Sequence, residues 1–205
     1  MKRTRTRWRG PFLFMLTMSV VLSLATLAEA RGDEQQFRTT LIEASRALES
    51  GFLAEAERLF EQALALQPES RDARFGVGAL YIQQGRYTEA IDVMETLKEE
   101  FPDDYTIINN LAWLYATASD HSVRDGDRAV QLAQEALLLQ PNNFHVWSTL
   151  SEGHYVSGAY ERAERAAQEA VRLSREAGAD RERVMQYQQQ LEKCRRAAEA
   201  LTILE

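Results

Sequence analysis

The chain is expected to be all-α, a solenoid of about four helix–turn–helix hairpins closed by one C-terminal helix. Three features of its 205 residues point there. Ala56, Ala90, Ala129 and Ala163 recur at intervals of 34, 39 and 34 residues. Gly51, Gly85 and Gly158 keep the same ruler, as do Pro68, Pro102 and Pro141. Between these markers the apolar residues return at i, i+3, i+4 and i+7, the period of a half-buried helix.

In the second unit Phe75, Val77, Leu80, Tyr81 and Ile82 give a first helix. Tyr87, Ala90, Ile91, Met94 and Leu97 give the second. Gly85 stands where a chain leaving a helix takes a left-handed residue, and Pro102 begins the next unit once the second helix has ended. The recurring Ala is small enough to let the two helices of a hairpin approach closely. The units are placed at about 37–70, 71–104, 105–143 and 144–177, within an array spanning 31–177. The third carries five extra residues, in the stretch from Ser119 to Gly126, with Asp125 set to cap its second helix and Asp127 in the first turn.

Residues 178–205 do not begin a fifth unit. Asp180 can cap a helix on which Val184, Tyr187, Leu191, Cys194, Ala198 and Leu201 form one apolar seam. Gln, Lys, Arg and Glu keep its other face wet, as a capping helix requires. Cys194 is the only cysteine, so no intramolecular disulfide exists. It is either a buried core thiol on that seam or a reactive or intermolecular one.

The units resemble the tetratricopeptide repeat, W-x2-L-G-x2-Y followed by G-x-Y-x2-A and a closing P. Unit two reads Val77-Gly78-x2-Tyr81, Gly85-Arg86-Tyr87-x2-Ala90, Met94 and Pro102; unit four reads Trp147-x2-Leu150 and Gly158-x-Tyr160-x2-Ala163. The resemblance covers roughly residues 37–177 and implies a right-handed superhelix whose first helices line a concave face. It also implies that ligands touch the second, fifth, ninth, twelfth and thirteenth positions of those helices. The fifth and ninth positions hold Leu41, Ser45, Phe75, Ala79, Asn109, Trp113, Ser148 and Glu152. The basic clamp by which some relatives hold a terminal carboxylate is absent from this set. Phe75, Ile82, Trp113 and Tyr155 would instead give an aromatic and aliphatic groove with Asn109 as a polar handle. Phe75, Ile82 and Trp113 serve equally well as ordinary packing between neighbouring units.

The net charge is −7; residues 1–30 contribute +4 and the remainder −11. A bulk acidic surface argues against nucleic acid as a partner. Lys2, Arg3, Arg5, Arg7 and Arg9 precede an apolar run from Pro11 to Leu27 and then Ala28-Glu29-Ala30. That order describes a secretory signal peptide over 1–30, hence a periplasmic or secreted protein; left uncleaved, the segment is a membrane anchor facing the periplasm.

No phosphate loop, dinucleotide fingerprint, metalloprotease motif or nucleophile elbow occurs. His121, His145 and His154 have no ligand-spaced partner, and Asp120, Asp125 and Asp127 miss the calcium-loop pattern. The expectation is therefore a non-catalytic protein without cofactor or metal, a scaffold that binds a protein or peptide, with an envelope protein as its partner. The alternative is a self-assembling subunit docking through Leu201, Ile203 and Leu204, or an assembly factor held by its N-terminal anchor.

Overall fold

The computed structural model of the chain describes residues 31–204, so the segment read as a signal peptide lies outside the described residues. Among those residues every regular element is an α-helix. α1 is helical over 31–49, followed by α2 (Leu53–Leu66), α3 (Arg71–Gln83), α4 (Tyr87–Glu100) and α5 (Tyr105–Thr117). α6 (Gly126–Leu139), α7 (Phe144–Val156), α8 (Tyr160–Glu176) and α9 (Arg181–Leu204) complete the chain. The chain divides into two compact units after Glu69. The first holds the α1–α2 hairpin; the second holds α3 to α9.

Two kinds of turn alternate, each with a chemical signature. Within a hairpin the first helix ends on glycine: Gly51, Gly85 and Gly158 all have φ between 74° and 77°. The amide of the next residue then reaches back to the last turn, Arg86 N–H to Tyr81 C=O at 2.8 Å and Ala159 N–H to His154 C=O at 2.8 Å. This is the Schellman closure, which needs a left-handed residue that glycine adopts without penalty. Between hairpins the chain passes a proline and then a side-chain cap. Ser70 accepts from the Ala73 amide, Asp104 from Thr106 and Ile107, and Asn143 from His145 and Val146. α4 and α8, delivered by the glycine turn, start without a side-chain cap.

The third hairpin departs from this rule because its insertion replaces the glycine. Asp125 N–H reaches back to Tyr115 C=O at 3.0 Å, and the Asp125 carboxylate caps α6 through the Arg128 amide at 2.9 Å. The insertion is pinned at Ser119, whose hydroxyl is 2.8 Å from Tyr87 Oη, and by Arg124, which donates to Ala118 C=O. Val123 packs on a cluster of Ala90, Leu114 and Ala118. Gly126 then lies so close to the next turn that a Cβ there would stand 2.6 Å from the Ser157 nitrogen.

Packing within the second unit is continuous. Met94, Leu97, Ile107, Ile108, Leu111, Leu132, Ala136, Val146 and Leu150 share one cluster drawn from α4 to α7. Ala56, Ala90, Ala129 and Ala163 are each fully buried. α9 lies along α8, with Asp180 capping it through the Arg183 amide at 2.8 Å. Cys194 is fully buried, its Sγ 3.4 Å from Ser151 Oγ. Burial pushes the thiol pKa up, which is the inert reading of the two offered by the sequence. The seam runs out before the end of α9: Leu201 and Ile203 are exposed.

Candidate partner-binding face

The residues expected to line a groove fall on α3, α5 and α7, the first helices of the three hairpins in the second unit. Phe75 and Ile82 are half-buried packing residues. Phe75 lies against the main cluster, with the Arg71 guanidinium 5.0 Å over its ring; Ile82 lies against the cluster of Ala90, Leu114 and Ala118. Ala79 is partly exposed on the same helix. Arg71 bridges onward, bonding Asp72 at 2.7 Å and donating from Nε to Asp104 at 2.9 Å. Burial works against the Asp104 carboxylate, but the hydrogen bonds from Arg71 and the first amides of α5 outweigh it and hold its pKa below the usual range. The cap of α5 is thus also the anchor that ties α3 to α5.

α5 presents the open part of the face. Trp113 is 43% exposed, unusual for a residue in the middle of an otherwise apolar helix. Asn109 lies one turn earlier on the same side, and its Oδ1 is buried with no hydrogen-bond partner among the described residues. Its neighbour Asn110 is satisfied, donating to Thr106 C=O at 2.8 Å. A buried amide oxygen without a donor is costly, on the order of 1–3 kcal/mol. Together these two residues give the face an exposed indole and, one turn away, a covered amide oxygen without a donor.

α7 is different. Ser148, Glu152 and Tyr155, expected to extend the groove, are engaged by α9. Ser148 Oγ donates to Gln190 Oε1 at 2.6 Å, and Gln190 Nε2 returns a bond to Ser148 C=O at 2.9 Å. Lys193 Nζ pairs with Glu152 at 2.9 Å and sits 3.9 Å from the centre of the Tyr155 ring. His145 Nδ1 is 2.8 Å from Tyr187 Oη. The reason is geometric: after the Gly178 turn, α9 occupies the place a further first helix would take. The chain's own last helix therefore covers these three residues. Sequence reasoning missed this because Gln190 and Lys193 read as solvent-facing positions beside the seam.

No group of three or more potential metal ligands occurs among the described residues. Asp120 accepts from the Ser122 amide and hydroxyl at 2.8 and 2.7 Å, and Asp125 is the α6 cap. No described helix is long and apolar enough to cross a membrane.

The architecture is that of the tetratricopeptide solenoid, a class of helical scaffold that presents surfaces to other proteins. A tetratricopeptide repeat family model matches residues 43–105. A thermophilic TPR protein of Thermus thermophilus superposes with a TM-score of 0.59 at 21% identity, covering 81% of this chain and 99% of its own. MamA from Desulfovibrio magneticus RS-1, residues 41 to its end, gives a TM-score of 0.60 at 17% identity over 82% and 92%. Cellulose synthase 2 operon protein C of Komagataeibacter xylinus is 28% identical over 122 residues, which is 60% of this chain but 9% of that protein. The two solved structures share the fold, and the repeat match over residues 43–105 suggests a scaffold for protein–protein contact.

Proposed function

We propose that the chain is an exported tetratricopeptide scaffold that holds a protein or peptide partner against the Trp113 face of α5. The observation that carries this reading is the exposure of Trp113 in the middle of α5. Partly exposed tryptophans framed by packed neighbours are the usual anchors of interfaces. The groove on this reading is shorter than sequence spacing alone would give, because α9 takes its far end. Export rests on the order of basic residues, apolar run and Ala28-Glu29-Ala30.

The test compares the parent with Trp113→Ala as bait for envelope proteins. An anchor role predicts loss of the captured partner, by roughly 2 kcal/mol or more, with melting almost unchanged. A folded variant that retains the partner at parental affinity overturns the reading. Mass spectrometry of the protein recovered from cells tests export: an N-terminus at Arg31 supports it, and an intact Met1 in a membrane fraction supports the anchored form. Self-assembly has one observation of its own, the exposed Leu201 and Ile203 at the end of α9. A monomeric mass in solution rejects it.

A further inference from the structure

A second surface of the same unit has no part in the reading above. On the flank of α7 turned away from α9, Trp147, Leu150 and His154 form the floor of an open groove of about 520 Å³. Arg162, Arg165, Ala166, Gln168 and Glu169 of α8 form its wall. The Trp147 indole N–H is fixed to Pro141 C=O at 2.8 Å, which holds the ring as a rigid apolar plate.

The charges of this groove are not spent internally. Arg71, Arg74, Arg128 and Arg172 each hold a carboxylate at 3.3 Å or closer. Arg165 has only Glu161 at 3.9 Å, and Arg162 makes no ion pair among the described residues. The one carboxylate in the wall, Glu169, is taken by Arg172 at 2.7 Å. His154 is 8% exposed, and its imidazole has no hydrogen-bond partner among the described residues. Burial, then the nearby Arg162 and Arg165, hold its pKa below the usual histidine value. α8 begins at Tyr160, so Arg162 lies in its first turn, where the helix dipole favours anions over cations. Helix stability therefore gives no account of Arg162, and Arg165 has only its long contact with Glu161 one turn earlier.

We infer that this groove docks an acidic segment of a partner protein, an apolar side chain lying on Trp147 and Leu150 while a neighbouring carboxylate bridges Arg162 and Arg165. Charge complementarity selects the occupant. Residues 31–205 carry a net charge of −11, so an acidic ligand is repelled by the surface at large and drawn to a local basic site. His154 adds a donor that strengthens as an adjacent carboxylate favours its protonated form.

The probe is a dye-labelled peptide of alternating Leu and Glu, followed by fluorescence anisotropy against the purified protein. Its Leu–Lys counterpart is the control for charge. Binding of the acidic peptide alone, weakened about tenfold in the Arg162→Gln/Arg165→Gln double variant and by added salt, supports the site. Both arginines are exposed, so the double variant keeps its fold, which circular dichroism checks. Trp113→Ala should bind as the parent does, which separates this surface from the α5 face. Equal affinity in the double variant, or equal binding of the Lys peptide, overturns the inference. Displacement of the peptide by inorganic phosphate at matched ionic strength, as fully as by unlabelled peptide, also overturns it and leaves a small-anion site.

Discussion

Ala90 has no room for a larger side chain. It is fully buried where α3 and α4 meet, in a cluster with Leu114 and Ala118. Ala90→Leu adds three carbons to a contact with no space for them, and overpacking of this kind costs roughly 1–3 kcal/mol. Urea denaturation of the variant should show a lower midpoint at an unchanged slope; a midpoint equal to the parent's would mean the helices can part freely. Gly85 makes a complementary demand on the backbone. With φ at 74°, Gly85→Ala places a Cβ in the left-handed region, costing about 1–2 kcal/mol although the space around it is open. The loss should appear as lower melting without any change in partner capture.

At the scale of the element, the first helices depend on their caps. Asp104 serves α5 twice, accepting from its first amides and from Arg71 of α3. Asp104→Ala should cost more than an ordinary cap, whose removal is worth about 0.5–2 kcal/mol, because it also leaves the half-buried Arg71 with only the exposed Asp72 as a partner. Arg71→Met in the same background should recover part of the loss, and a strictly additive double variant would argue against the coupling. α9 acts on its neighbours in the same way. Removing residues 179–205 uncovers Ser148, Ser151, Tyr155 and the inner face of α8. Amide exchange in α7 and α8 should then accelerate while α4 and α5 remain protected, since each repeat leans chiefly on its neighbours.

For the whole molecule, acid should unfold the protein in two stages. His154 favours its neutral form when folded, held there by burial and then by Arg162 and Arg165. The unfolded chain takes up that proton near pH 6.5, so it binds more protons than the native state below that value. Stability is accordingly full above about pH 6.5 and falls as the pH drops through it. The second stage comes at lower pH, where Asp104 and Glu100, both with lowered pKa values, lose their arginine partners. Burial, with Arg183 beside it, lowers the His145 pKa in the same sense, so a His145→Gln/His154→Gln double variant should lack the first stage and keep the second. A first stage that persists in this variant would place the proton uptake elsewhere.

What could be read from the sequence is what short stretches of chain decide. The glycine turns, the Asp125 and Asp180 caps, the buried alanines and the number of helices follow from backbone conformation and 3.6-residue periodicity. These depend on residues a few positions apart, so Gly85 and Ala90 announce themselves by spacing alone. The fate of each helix face depended instead on what lies about forty residues away. Phe75, Ile82, Trp113 and Tyr155 are alike in sequence, large aliphatic or aromatic residues on the expected inner side of first helices, yet two pack, one is open and one lies under Lys193. Only the tertiary structure separates them, because α9 settles on α7 and α8 through Gln190, Lys193 and Tyr187, whose side chains give no local sign of their partners. Periodicity tells which side of a helix is apolar; burial is decided by the neighbour that arrives to cover it, and that neighbour is chosen by packing across the whole unit.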